Sequence, residues 1–231
     1  MLATRAACRA AQRAGLSTSA SDDVKARLRA LLRETAQPVA VVTSLLPSPD
    51  KTFHGATLSS FTSIAMDPYP LVAFSLKIPS RMASSLRVAH PQLSSHMVVN
   101  ILSASQASTA ILFSRPDLHP HPFEQVGYYL NDEGIPILEG SLGALSCKLA
   151  SLPLALDDLA LSGRNLDAKS TLETAAEAFT SELFIARVTK VEKLAVDDVE
   201  AADSHVMPLL HHRREYVTVH TKNSHLPIPK V

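Results

Sequence analysis

The chain has no tryptophan, two cysteines, seven glycines, 5% aromatic residues and no net charge over its 231 residues. Each shortage excludes something. The glycines stand at positions 15, 55, 127, 134, 140, 143 and 163, and no three of them make G-x-G-x-x-G. No G-x-x-x-x-G-K-[ST] occurs either, so the two commonest glycine-rich phosphate cradles are missing and a nucleotide must be held by other means. The 22 Lys+Arg against 22 Asp+Glu supply no broad basic surface for nucleic acid. No run of eighteen apolar residues exists, so no helical membrane span is expected. G-x-S-x-G is absent, which removes the common serine-hydrolase elbow. What is present is 46% hydrophobic residues with only 19% charged, enough for a sizeable core in one large domain or two small ones.

The zero net charge hides two regions. No acid precedes Asp22, while Arg5, Arg9 and Arg13 recur every four residues and Ser17, Thr18 and Ser19 follow. An Arg-rich, acid-free, Ser-containing amphipathic start is the pattern of an organellar transit peptide, and the arginines interrupt any secretory apolar stretch. Residues 1–20 are therefore expected to be a mitochondrial targeting peptide and the mature protein to reside in the matrix. Losing Arg5, Arg9 and Arg13 from 22 basic residues leaves 19 against 22 acids, a mildly acidic mature chain. Cys8 would leave too. Cys147 alone makes neither an internal disulfide nor a cysteine-based zinc site.

Residues 22–35 read as an amphipathic helix, with Asp22 and Asp23 at its start and Leu28, Leu31 and Leu32 on one side. Strands are expected at 39–44, 54–59, 71–76, 96–102, 142–149, 183–191 and 216–220, from β-branched or alternating runs. Pro47-Ser-Pro-Asp50 reads as a turn. Short helical stretches fit 82–88 and 105–113, and the proline-rich 114–136 reads as loop with a short insert. Residues 151–180 lack strand pattern, and 172–179 read as possible helix. Many strands with few long helices point to an antiparallel barrel or sandwich in one domain.

Thr57, Ser59, Ser60, Thr62 and Ser63 place hydroxyls at a strand end and the following turn, where they can bind an oxyanion without a glycine loop. Lys77, Ser80 and Arg81 occupy a second turn, and Arg115 ends a helical stretch, so cations for a phosphate are at hand. The ten histidines offer only two close pairs, His119/His121 and His211/His212. Neither has the i, i+4 helical spacing of a zinc motif, and no metal site is expected. Cys147 in GALSCKLA reads as a buried structural thiol.

The order and spacing of these strings resemble the flavin reductase-like family, whose members bind FMN in a split β-barrel. The landmarks are Pro38–Thr43, Gly55–Phe61, Ser63 through Pro70-Leu71, Val99–Leu102 with Gln106, Gly134–Leu138, Gly140 through Cys147, Leu183–Val188 and Pro208 through Tyr216. They span about residues 36–220. The resemblance implies a mainly β, antiparallel Greek-key split barrel with short helices over 37–222. An N-terminal helix at 21–36 precedes it, 151–182 form an atypical insert, and 223–231 form a tail. It puts Thr57, Ser59 and Ser60 on the flavin's phosphate and ribityl side and Phe61 beside the isoalloxazine. It further implies that the strand end from Ser75 to Lys77 and the turn with Ser80 and Arg81 complete the phosphate grip, and that Asn100 and the segment from Phe113 to Arg115 border the cleft. It also implies a homodimer with the flavin near the subunit interface.

One departure stands out. Family members that use a nicotinamide donor often carry Gly-Asp-His just before the strand that here reads LFIARV, whereas this chain has Thr180-Ser181-Glu182. His211, His212 or Tyr216 are the local candidates to stand in as catalytic groups. The function expected is an FMN-binding oxidoreductase taking hydride from NAD(P)H. A non-catalytic FMN-binding or assembly protein of the matrix is the alternative, and a split-barrel flavin-dependent oxidase is a third reading.

Overall fold

In a computed structural model of the chain the described residues are 22–46, 52–156, 181–194 and 207–219. The targeting segment, the turn at 47–50 and the helical stretch at 172–179 lie outside them. They form thirteen strands and three α-helices, and none of these helices is long and apolar enough to cross a membrane.

The main sheet runs in the order β3-β2-β6-β9-β11-β5-β4, with β10 on β11. Here β2 is Ala40–Leu45, β3 Phe53–Leu58, β4 Thr62–Ala65, β5 Leu71–Lys77, β6 Met97–Ile101, β9 Gly143–Leu149, β10 Leu154–Ala155 and β11 Ser181–Leu194. Every pairing is antiparallel. The chain crosses from β3 to β4 at opposite ends of this order and returns from β5 to β6 in its middle, as a Greek key requires. The fold is mainly β with few short helices, as the sequence implies.

β11 makes the sheet curl. Its first half, Ser181–Arg187, pairs with β5, and its second half pairs with β9 through two register shifts, between Val188 and Lys190 and between Val191 and Lys193. Such bulges bend a strand and raise its twist. The curl brings the chain just beyond β3 back onto β5, where the Ser75 N–H donates to Ser60 Oγ at 2.9 Å and Ser60 Oγ donates to Ser75 O at 3.3 Å. A side chain spans the seam there in place of a ladder, so the barrel is split between β3 and β5.

β2 is buried on both faces, and period-two alternation sorts its side chains. Ala40 and Val42 face the barrel interior with Leu58, Phe74, Met97, Val99 and Phe184. The Phe74 and Phe184 rings stack at 5.4 Å. Helix α2 (Arg81–Arg87) plugs that interior with Met82, Ala83 and Leu86, and Ser80 caps it by accepting from the Ala83 N–H. Val39 and Val41 face outward against Ala110 and Phe113 of helix α3 (Ala107–Ser114), Leu138 and Leu209.

Short strands also appear where none was expected. β4 is exposed, Thr-Ser-rich edge with no apolar alternation. In the hairpin of β7 (Tyr128–Leu130) and β8 (Pro136–Leu138), β7 lies in the segment read as loop and β8 starts at its last residue. A small sheet joins β1 (Gln37–Pro38), β12 (Leu210–His212) and β13 (Glu215–Val217). Helix α1, residues 22–33, forms as expected, but its apolar side is uncovered: Val24, Leu28, Leu31 and Leu32 are exposed.

Candidate functional site

The split seam opens into a cleft of about 510 Å³. One wall is the end of β3 and the turn after it, with Thr57, Leu58, Ser59 and Ser60; the other is β5, with Ser75, Leu76 and Lys77. Ser80 closes it at the α2 cap, Phe113, Ser114 and Pro116 come from the end of α3, and Val39 forms part of the floor. Ser181, His211 and Tyr216 reach the same cavity. The curled sheet therefore gathers residues that the sequence holds more than 150 positions apart.

Two contacts shape this cleft. Thr57 Oγ1 donates to Ala110 O at 2.7 Å, which ties α3 to β3 and leaves only the hydroxyl's lone pairs for a ligand. Gly55 lets the Phe113 ring lie on the β3 backbone, because a Cβ there would stand 2.5 Å from Phe113 Cε1. Ser60 is engaged with the Ser75 backbone across the seam. Among the described residues neither Ser59 nor Lys77 has a side-chain partner, so their polar groups are open to the cavity.

β12 and β13 present the other end. His211 pairs across the ladder with Tyr216, and their rings meet edge to face at 5.7 Å. Burial pushes the Tyr216 hydroxyl above its usual value of 10.0, so it is a neutral donor at pH 7. The hairpin turns on Arg213 and Arg214, at φ 49 and 70. That conformation belongs to Gly and Asn in two-residue hairpins, and it costs other residues about 1–2 kcal/mol each. The turn is pinned to α1: the Arg213 N–H donates to Arg33 O at 3.1 Å, and its guanidinium Nε donates to Glu34 Oε2 at 2.9 Å.

Several expected positions differ. Asn100 does not border the cleft. It is fully buried in β6, where its Nδ2 donates to Val41 O at 3.2 Å and to Thr43 Oγ1 at 3.3 Å, and its Oδ1 accepts the Leu138 N–H at 2.8 Å. Phe61 packs against the core inside the barrel and does not line the cavity. Arg115 is exposed and turned to Asp117, with both contacts at 3.3 Å. His212 neighbours His211 on one strand, so alternation sends it to the opposite face; it is absent from the lining.

Arg81 lines an adjoining cavity of about 330 Å³ with His54 and Gly55, which meets the cleft at Ser80, Phe113 and Pro116. Burial, and then the Arg81 charge, hold His54 below its usual 6.5. The sequence reading missed Val39, Leu58 and Pro116 as lining residues. It noted Ser181 only as a departure. Its position was in reach, because β11 must pair with β5, and that ladder sets Ser181 opposite Lys77.

A family model described as "Flavin reductase like domain" matches residues 32–220. The chain is 33% identical over 132 residues to the FMN reductase (NADH) SmoA of Agrobacterium fabrum, an alignment covering 56% of this chain and 68% of that protein. It is 28% identical over 191 residues to an NADPH-flavin oxidoreductase of Streptomyces viridifaciens, covering 80% and 93%. A nitrilotriacetate monooxygenase component B from Mycobacterium thermoresistibile superimposes with a TM-score of 0.63 at 20% identity, covering 88% of this chain and 91% of that one. This last likeness is one of fold.

Proposed function

The chain belongs to the flavin reductase-like domain family; from that premise we propose that it binds FMN in the seam cleft and reduces it with NAD(P)H. The observation that carries this reading is the convergence of Ser59, Ser60, Lys77 and Ser80 with Phe113 and Tyr216 around one cavity. The donor set fits a flavin. Its size of about 510 Å³ and its apolar walls with few polar groups are those of a small-ligand site.

Lys77 and the open serine hydroxyls meet the phosphate, with charge-assisted bonds supplying most of the affinity. Val39, Leu58, Leu76 and Phe113 exclude water from the ring. When bound, the flavin supplies the hydride chemistry, and the protein supplies orientation and electrostatics. His211, braced by Tyr216, brings to the cleft the imidazole that relatives with Gly-Asp-His supply from just before the strand LFIARV, where this chain has Glu182. Loss of NADH oxidation on His211→Ala, with FMN still bound, is expected.

The acid-free, Arg-rich start supports mitochondrial targeting of the precursor and a matrix location for the mature protein. The uncovered apolar side of α1, Val24, Leu28, Leu31 and Leu32, supports a homodimer. The deciding experiment is an absorbance spectrum of the purified mature protein with FMN, before and after anaerobic NADH or NADPH. A perturbed flavin band that bleaches on adding the donor is expected. An unperturbed spectrum overturns FMN binding, and a bound flavin that never bleaches overturns reduction.

A further inference from the structure

Beside the cleft lies a second cavity of about 250 Å³, and its wall is unusually basic. Arg29 and Arg33 reach it from α1 and Arg213 and Arg214 from the β12–β13 turn, with Leu32, Thr35 and Gln37 between them. It shares Ser59 and His211 with the cleft, so the two spaces meet where His211 stands.

The arrangement is built from three independent pieces. Arg29 and Arg33 are four apart on a helix, and that spacing stacks them on one face. Arg213 and Arg214 hold a left-handed turn usually given to glycine or asparagine. The turn and the helix are locked together by the Arg213 N–H on Arg33 O and by the Arg213–Glu34 pair. Glu34 answers one of the four cations, and Glu215 follows the turn as a second nearby acid. Among the described residues Arg29, Arg33 and Arg214 have no carboxylate partner. Guanidinium forks in this number suit phosphate oxygens.

We propose that this cavity is the phosphate subsite of the nicotinamide donor and that it selects NADPH over NADH. The inference rests on the proposed flavin reductase reading, which puts the nicotinamide at the flavin beside His211. From there the donor's adenylate end needs an exit from the cleft, and the arginine cavity opens at that residue. NADH carries two diphosphate charges. NADPH adds a ribose monophosphate of about −1.5 to −2 at pH 7, and three unpaired guanidinium groups exceed what the diphosphate alone neutralises. Glu34 fixes Arg213 as the hinge of the site and leaves Arg29, Arg33 and Arg214 for the ligand.

The test is calorimetric titration of the full mature chain with adenosine 2′,5′-bisphosphate and with 5′-AMP, alongside FMN binding by fluorescence. The bisphosphate is expected to bind at least about tenfold more tightly, as one added charge-assisted contact dictates. Arg214→Asn removes the cation while keeping a residue that tolerates the turn, and Arg29→Gln removes a second one from another element. Each variant is expected to lose about tenfold in bisphosphate affinity, with FMN affinity unchanged and the NADPH-to-NADH ratio of KM moving toward one. Equal affinity for the two probes, or unchanged bisphosphate affinity in both variants, overturns the proposal. Inorganic pyrophosphate binding as tightly as the bisphosphate also overturns it, as a mere anion patch. Failure of FMN to bind the unaltered protein sinks the functional reading instead, and the titrations report that separately.

Discussion

Two polar regions interleave along the sequence and do opposite things. One is the interior set around Asn100: Asn100 and Thr43 satisfy Val41, Val98, Pro136 and Leu138, and Ser44 meets Ser85 at 2.8 Å. The other is the cleft, where Ser59 and Lys77 keep their hydrogen-bonding capacity open to the cavity. The first lies within apolar strands and helix α2, the second at a strand end and in the turn after β3. The difference is whether the chain itself uses up the donors and acceptors. A buried polar group that is fully paired specifies one arrangement of the core; a group with capacity left over, facing a cavity, is what a ligand can use.

The contrast breaks most sharply at Asn100. Asn100→Ala orphans the Leu138 N–H inside the core and strips a side-chain donor from the Val41 carbonyl, and is expected to cost about 2–4 kcal/mol in urea unfolding. FMN affinity of the molecules that remain folded should be unchanged. If Asn100→Ala instead weakened FMN binding without loss of stability, the division drawn between the two regions would be wrong.

Gly55→Ala comes next, because it touches both regions. The new Cβ meets the Phe113 ring at 2.5 Å, so the ring must move off β3 and into the cleft. Overpacking of this kind costs about 1–3 kcal/mol, and FMN affinity should fall along with the melting temperature.

Lys77→Ala is expected to lower FMN affinity about tenfold, close to 1.4 kcal/mol, while shifting stability by less than about 0.5 kcal/mol. Added FMN should then raise the melting temperature of the unaltered protein more than that of the variant, by mass action.

The smallest effect is a pH dependence at the interior's far end. His96 is buried, its Nδ1 accepts the Leu149 N–H at 3.2 Å, and among the described residues its Nε2 has no partner. Burial, and then the Lys148 charge, hold it below the usual 6.5, so the fold takes the neutral ring. A histidine depressed in the fold contributes stability that is fully present above 6.5 and is lost as pH falls through the folded value. Unfolding curves from pH 7.5 down to 5 should show that loss, and His96→Gln should flatten it. Cys147 offers a control in the same interior. Burial pushes its thiol up to about 12, so it should stay unlabelled by thiol reagents until the protein unfolds.

The strands that carry a hydrophobic signal were legible. β2, β3, β5, β6, β9 and β11 all appear within a residue or two of the expected runs, apart from the ends of β11. β4 and β12 were not, because their pairing is set by neighbours rather than by burial of their own side chains. In the cleft, Thr57, Ser59, Ser60, Ser75, Lys77, Ser80, Phe113 and His211 meet as expected, drawn from β3 and its turn, β5, the α2 cap, the end of α3 and β12. Asn100 misled for a physical reason: an asparagine in an apolar strand looks the same whether it faces a ligand or a backbone, and only its partners distinguish the two. Arg115 and His212 misled through direction, since a residue's place beside a site does not say which way its side chain points.

By itself the sequence determined the β-rich fold, the first helix to within two residues of its end, the lack of glycine-rich phosphate-cradle motifs and the hydroxyl-and-lysine composition of the cleft. These follow from local periodicity and residue chemistry, which act over a few positions. The tertiary structure alone decided that Asn100 serves the core, that Arg81 belongs to a neighbouring cavity, and that four arginines from α1 and the last hairpin meet beside His211. Those outcomes depend on how far the bulged β11 curls the sheet and on which strand edges the curl brings together.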